Sequence, residues 1–161
     1  MTKFSRSLFA ALVIVTMTAS LALAAGSAHY IKNATSGAGS GATFTVNFKE
    51  AGLASGQLYH YVLSATGTAV YRCQNNGSNF PQADNKVGPS TISAPGTFEA
   101  DKGGNIVGTL TLLAPPSTLS CPGNQKPVLV SADFTNITLT NIDNGDTRTF
   151  GDYHYKNPLF V

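Results

Sequence analysis

Charge is scarce in this sequence: 161 residues hold ten Lys and Arg against eight Asp and Glu, with no basic cluster. Without such a cluster there is no electrostatic case for nucleic acid or an anionic membrane as partner. There are two cysteines, and they do not form a Cys-x-x-Cys pair, so the metal and redox motifs built on that spacing are excluded. No Gly-x-Ser-x-Gly elbow marks a serine nucleophile. The carboxylates Glu99, Asp101, Asp143 and Asp146 fall at expected turns, where turn chemistry explains them without acid–base catalysis. Asp143-Asn144-Gly145-Asp146 lacks the oxygen-ligand spacing of a calcium loop. No enzyme and no cofactor are expected. Amphipathic helical periodicity is also missing beyond the first two dozen residues.

What is present begins with Lys3 and Arg6, an uncharged apolar run from Leu8 to Met17, and the small-residue stretch Ala22-Leu23-Ala24. These are the three parts of a secretory signal. Thr16, Thr18 and Ser20 break the run short of the roughly 20 apolar residues a spanning helix needs. Residues 1–24 are therefore expected to form a signal-peptide helix that is removed on export to the extracellular space. Lys3 and Arg6 leave with it, so eight basic residues remain against eight acidic ones. In an exported chain, Cys73 and Cys121 read as a disulfide. It closes a loop of about 48 residues, worth about 4 kcal/mol in the chain-entropy picture.

Residues 25–42 include a Gly/Ser/Ala-rich stretch with little to bury and read as a flexible lead-in, with order starting at Thr43. Phe44, Val46 and Phe48 then alternate with polar neighbours, as on a half-buried strand. Leu58 to Ala65 and Thr68 to Cys73 read as strand, with a bulge or turn at Thr66-Gly67. Residues 74–95 read as one long loop. Asp101-Lys102-Gly103-Gly104 is expected to join a hairpin between 96–100 and 105–112. Val128, Val130, Ala132 and Phe134 share one parity while Ile137 and Leu139 share the other, which calls for a bulge near Thr135-Asn136 or a change of sheet. Asn144-Gly145 predicts a last hairpin, and the aromatic tail from Gly151 is expected to pack. Short strands between turns predict an all-β, immunoglobulin-like antiparallel sandwich over 43–161, with a jelly roll or small barrel as the alternative, and without the Cys-Trp-Cys core of antibody domains because tryptophan is absent.

Tyr71-Arg72-Cys73-Gln74-Asn75-Asn76-Gly77, Pro81-Gln82-Ala83-Asp84-Asn85-Lys86, Leu110-Thr111-Leu112, Pro115-Pro116 and Cys121-Pro122-Gly123-Asn124-Gln125 stand in a consistent order. Val128-Leu129-Val130 and Phe134-Thr135-Asn136-Ile137-Thr138-Leu139 continue it. Together they resemble a family of small secreted proteins of actinobacteria and other soil microbes, over roughly residues 43–143. The resemblance implies export and a β-sandwich, and no activity. The layout is also similar in style to the neocarzinostatin apoproteins, which have two disulfides where this chain has cysteines for one.

Two sets of side chains are candidates for a site. Tyr59, Tyr61, Tyr153 and Tyr155 offer flat rings for a glycan-binding face. His29, His60 and His154 each adjoin tyrosine and are candidate metal ligands. His29 would become an N-terminal copper ligand if cleavage followed Ala28, which resembles the histidine brace of secreted copper proteins. Asn33-Ala34-Thr35, Asn76-Gly77-Ser78 and Asn136-Ile137-Thr138 match the glycosylation acceptor pattern. The expectation is a secreted, non-enzymatic binding or structural protein with an extracellular partner, a glycan or cell surface, acting through the 74–95 loop or the tyrosines. The alternatives are a copper-binding redox protein centred on His29 and a small-molecule carrier.

Overall fold

The computed structural model describes residues 27–77, 79, 80 and 84–160. The expected signal segment 1–24 lies outside them. The described chain is an all-β sandwich with no α-helix. Its strands are β1 (His29–Tyr30), β2 (Ser36–Ser40), β3 (Thr43–Ala51), β4 (Leu58–Gln74), β5 (Asn85–Glu99), β6 (Ile106–Leu113), β7 (Lys126–Asn141), β8 (Thr147–Thr149) and β9 (Tyr153–Lys156). One antiparallel sheet has β3 at its centre, with β1 and β2 along one side and β6 along the other. The second runs β5-β4-β7, and β8 and β9 follow one another along the free side of β7.

Alternation builds the core. Phe44, Val46 and Phe48 of β3 and Ile106, Leu110 and Leu112 of β6 turn inward from the first sheet. Tyr61, Leu63, Ala65 and Ala69 of β4 and Ala132, Phe134, Ile137 and Leu139 of β7 meet them from the second. On β7 Val130, Ala132 and Phe134 are buried at even positions, and Ile137, Leu139 and Asn141 at odd ones. The switch is a bulge in which Asn136, at φ +54°, is the extra residue, so one register shift keeps both hydrophobic sets inside. The bulge read from the parity change is there. So are a register shift of β4 against β5 between Gly67 and Ala69, the Asn144-Gly145 hairpin from β7 to β8, and the packing of the tail.

Three expectations are corrected. The lead-in is not structureless: residues 36–40 form β2 on the edge of β3, and Tyr30 of β1 packs edge-on against Phe48 at 6.2 Å. Gly37 and Gly39 serve close approach rather than flexibility. A Cβ on Gly37 would stand 2.7 Å from the Phe44 ring and 2.9 Å from Phe150, and one on Gly39 would overlap the Tyr153 ring. The long loop ends at Asp84, because 85–99 is strand. Its prolines, Pro89 and Pro95, suggested loop, but β5 is a sheet edge, where a missing N–H donor is tolerated. Finally, the turn at 101–104 does not make a hairpin. It carries the chain from β5 in the second sheet to β6 in the first, with Asp101 Oδ1 accepting from the N–H groups of Gly103 and Asn105, each at 2.8 Å.

Candidate functional site at the disulfide end

The strand β4 runs for 17 residues, from Leu58 to Gln74. From Tyr61 to Cys73 it climbs roughly 40 Å at about 3.3 Å per residue. The two ends it links are chemically unlike.

At the Tyr61 end a carboxylate is sealed inside. Glu50, the penultimate residue of β3, is fully buried. It accepts from Tyr61 Oη at 2.7 Å, Asn144 Nδ2 at 2.7 Å and Asn141 Nδ2 at 3.0 Å. The bonds tie the first sheet to the second and fix the β7–β8 turn. Three convergent donors make such burial tolerable. Burial, and then Glu50 itself, drive the Tyr61 hydroxyl far above the ordinary tyrosine range. Tyr30 is raised in the same way, first by burial and then by the charges of Glu50 and Asp146.

At the other end, Cys73 and Cys121 form the expected disulfide, with Cα atoms 5.6 Å apart. Cys73 is buried near the end of β4. Two loops leave the bridge at once. Asn75 opens the connection to β5, and its Oδ1 accepts from Gly77 N at 2.9 Å and Asn79 N at 3.0 Å. Beyond, Phe80 stacks on Phe160 of the C-terminal 3-10 turn at 4.4 Å, Arg72 lies over the Phe160 ring, and Arg72 also pairs with Asp84. On the other side, Pro122-Gly123-Asn124-Gln125 turns tightly into β7, with Gly123 at φ +58° and Gln125 N donating to Pro122 O at 3.2 Å. Between the loops lies an open cleft of about 380 Å³ lined by Asn75, Asn76, Gly77, Pro122, Gly123, Asn124 and Gln125. Four of these side chains are amides and none is charged. Gln125 Oε1 is buried with no hydrogen-bond partner among the described residues.

The tyrosines form no outward face. Tyr61 is fully buried against Phe48, their ring centroids 4.7 Å apart. Tyr59, Tyr153 and Tyr155 pack against the same core. Tyr59 also accepts from Ala54 N at 3.0 Å, and Tyr153 lies over Phe44 and Phe134. Alternation put Tyr59 and Tyr61 on one side, and that side is the interior. The histidines are on the outside and apart. His29 Nδ1 meets Ser27 O at 2.8 Å, His60 pairs with Asp143 at 3.2 Å and His154 with Asp133 at 2.9 Å. Among the described residues no three His, Cys, Asp or Glu side chains converge to hold a metal ion. The backbone N–H of His60 donates to Asp143 and, with the imidazole, holds that carboxyl below its usual range.

Fold and site thus define a class: an all-β sandwich of two antiparallel sheets, stapled once, with an amide-lined cleft beside the staple. A disulfide fits an oxidising compartment, and no helix of the described residues is long and apolar enough to cross a membrane. No known family model matches the chain, and neither a curated protein nor a solved structure is similar to it at a significant level.

Proposed function

We propose that this chain is an exported, non-enzymatic binding module on an immunoglobulin-like scaffold, which engages an extracellular ligand at its disulfide end. The scaffold reading is supported by the path of the chain: β3 in the first sheet, β4 and β5 in the second, β6 back beside β3, and β7 beside β4. Export is supported by the signal pattern of residues 1–24 and by the disulfide. The resemblance to small secreted proteins of soil microbes belongs to the same proposal. Two of its motifs, Asn75-Asn76-Gly77 and Pro122-Gly123-Asn124-Gln125, lie 45 residues or more apart in sequence and line one cleft.

The cleft carries the reading. Its uncharged walls leave the bridge at Cys73 and Cys121, so the scaffold's one covalent tie sits where the ligand would be held. Binding loops on a rigid sandwich are the common use of such a fold. The test is retention of the purified, disulfide-bonded protein on insoluble cell-wall and polysaccharide preparations. Retention is expected, and its absence at high protein concentration overturns the proposal. Sequencing the N-terminus of protein recovered from the medium checks export: a start at Ala25 is expected, and an intact Met1 contradicts it.

A further inference from the structure

We infer that the cleft at the disulfide end takes a neutral carbohydrate, gripped through hydroxyl-to-amide hydrogen bonds rather than by ring stacking or ion pairing. This inference rests on the reading above and names its ligand class.

The chemistry of the walls argues for it. Asn76, Asn124 and Gln125 bring paired donors and acceptors on planar groups, the complement of a sugar's vicinal hydroxyls, each of which donates and accepts. Asn75 spends its Oδ1 on its own turn, which leaves its amide N–H groups for the cleft. Gln125 Oε1 is buried without a partner among the described residues, as are Tyr30 Oη, Asn85 Oδ1, Asp146 Oδ2 and Arg148 Nε outside the cleft lining, so the open amides of Asn75, Asn76 and Asn124 carry the recognition. Among the described residues no charged side chain and no aromatic ring lines the cleft, so neither a phosphate nor a uronate finds a counter-ion among them, and its volume of about 380 Å³ falls at the small end of ligand pockets. Gly77 and Gly123 leave backbone open to the ligand, and Gly123 at φ +58° has nothing within 4 Å of where a Cβ would stand.

The test is a titration of the ¹⁵N-labelled, disulfide-bonded protein with cellohexaose, chitohexaose and mannohexaose, and with hexagalacturonate as the charged counterpart. At least one neutral hexasaccharide is expected to shift the side-chain NH₂ signals of Asn75, Asn76, Asn124 and Gln125. The double variant Asn124→Ala/Gln125→Ala is expected to lose about tenfold or more in affinity, as for two lost hydrogen bonds, at an unchanged melting temperature. Equal or tighter binding of hexagalacturonate overturns the inference. So do shifts confined elsewhere, such as the apolar cleft of about 360 Å³ lined by Ile92, Leu113, Ala114, Pro115 and Pro116. Retention on insoluble polysaccharide without amide shifts sinks the inference and leaves the binding module standing. Neither retention nor shifts sinks both.

Discussion

The two ends of the sandwich put their polar groups to different use: one buries them between the sheets, the other leaves them open. At the Glu50 end Tyr61, Asn141 and Asn144 all donate to the buried carboxylate, and beside it Tyr30 Oη and Asp146 Oδ2 are buried without partners among the described residues. At the disulfide end amides stand in an open cleft, and one buried acceptor has no partner among the described residues. A closed polar knot specifies how two sheets dock. Amides that line an open cleft beside a covalent pin are free to meet something else. The contrast sets a tie between the sheets against the proposed site.

The largest effect is expected at the closed end. Glu50→Ala takes the acceptor from the buried Tyr61 and Asn141 side chains and should cost about 3–5 kcal/mol, read as a fall in denaturation midpoint. An unchanged midpoint would show that the knot is not a tie between the sheets. Next comes the pin. Cys73→Ser is expected to cost about 2–5 kcal/mol and also to weaken binding, because both cleft loops lose their shared anchor. A variant that melts lower yet binds as before would detach the staple from the site.

A subtler difference appears in alkali. The Tyr61 and Tyr30 hydroxyls are raised in the folded state, so their neutral forms contribute stability that is complete below about pH 10, the ordinary tyrosine value, and is lost as pH rises further. In an absorbance titration these two should ionise only as the protein unfolds. Six phenols titrating together in the folded protein would contradict this. The smallest effect belongs to Asp143. Its carboxyl is lowered by the His60 N–H, so its contribution holds above the ordinary carboxylate value and fades as pH falls through the lowered one. Asp143→Asn should lower the melting temperature slightly at pH 7 and not at all in strong acid. A difference that persists in acid would assign the effect to something other than charge.

The comparison also marks what the sequence made legible. Strands read by alternation, the disulfide, and the bulge demanded by Phe134 and Ile137 all stand, because each is written in local period or in chain-wide compartment logic. Partnership is not local. Nothing in Gly96 to Leu112 distinguishes a hairpin from a step between sheets. Gly37 and Gly39 carry the composition of a linker, and only the aromatic rings lying over them explain why side chains are missing. Pro89 and Pro95 looked like loop residues because an edge strand cannot be recognised before its sheet is known. Tyr59 and Tyr61 were rightly placed on one side, but period two does not say which side is wet. Half of the cleft, Asn75 to Gly77, lay within the expected long loop. The other half, Pro122 to Gln125, was read only as a loop bracketing Cys121, and a lone amide-rich turn gives no signal until another faces it.

One crossed measurement tests the contrast most directly: the melting temperature, and the affinity for the tightest neutral hexasaccharide, of Glu50→Gln and of Asn124→Ala/Gln125→Ala side by side. The account predicts that the first lowers the melting temperature and leaves affinity intact, while the second does the reverse. Both properties moving together in the cleft variant, or affinity falling in the Glu50 variant while its melting temperature holds, would contradict it.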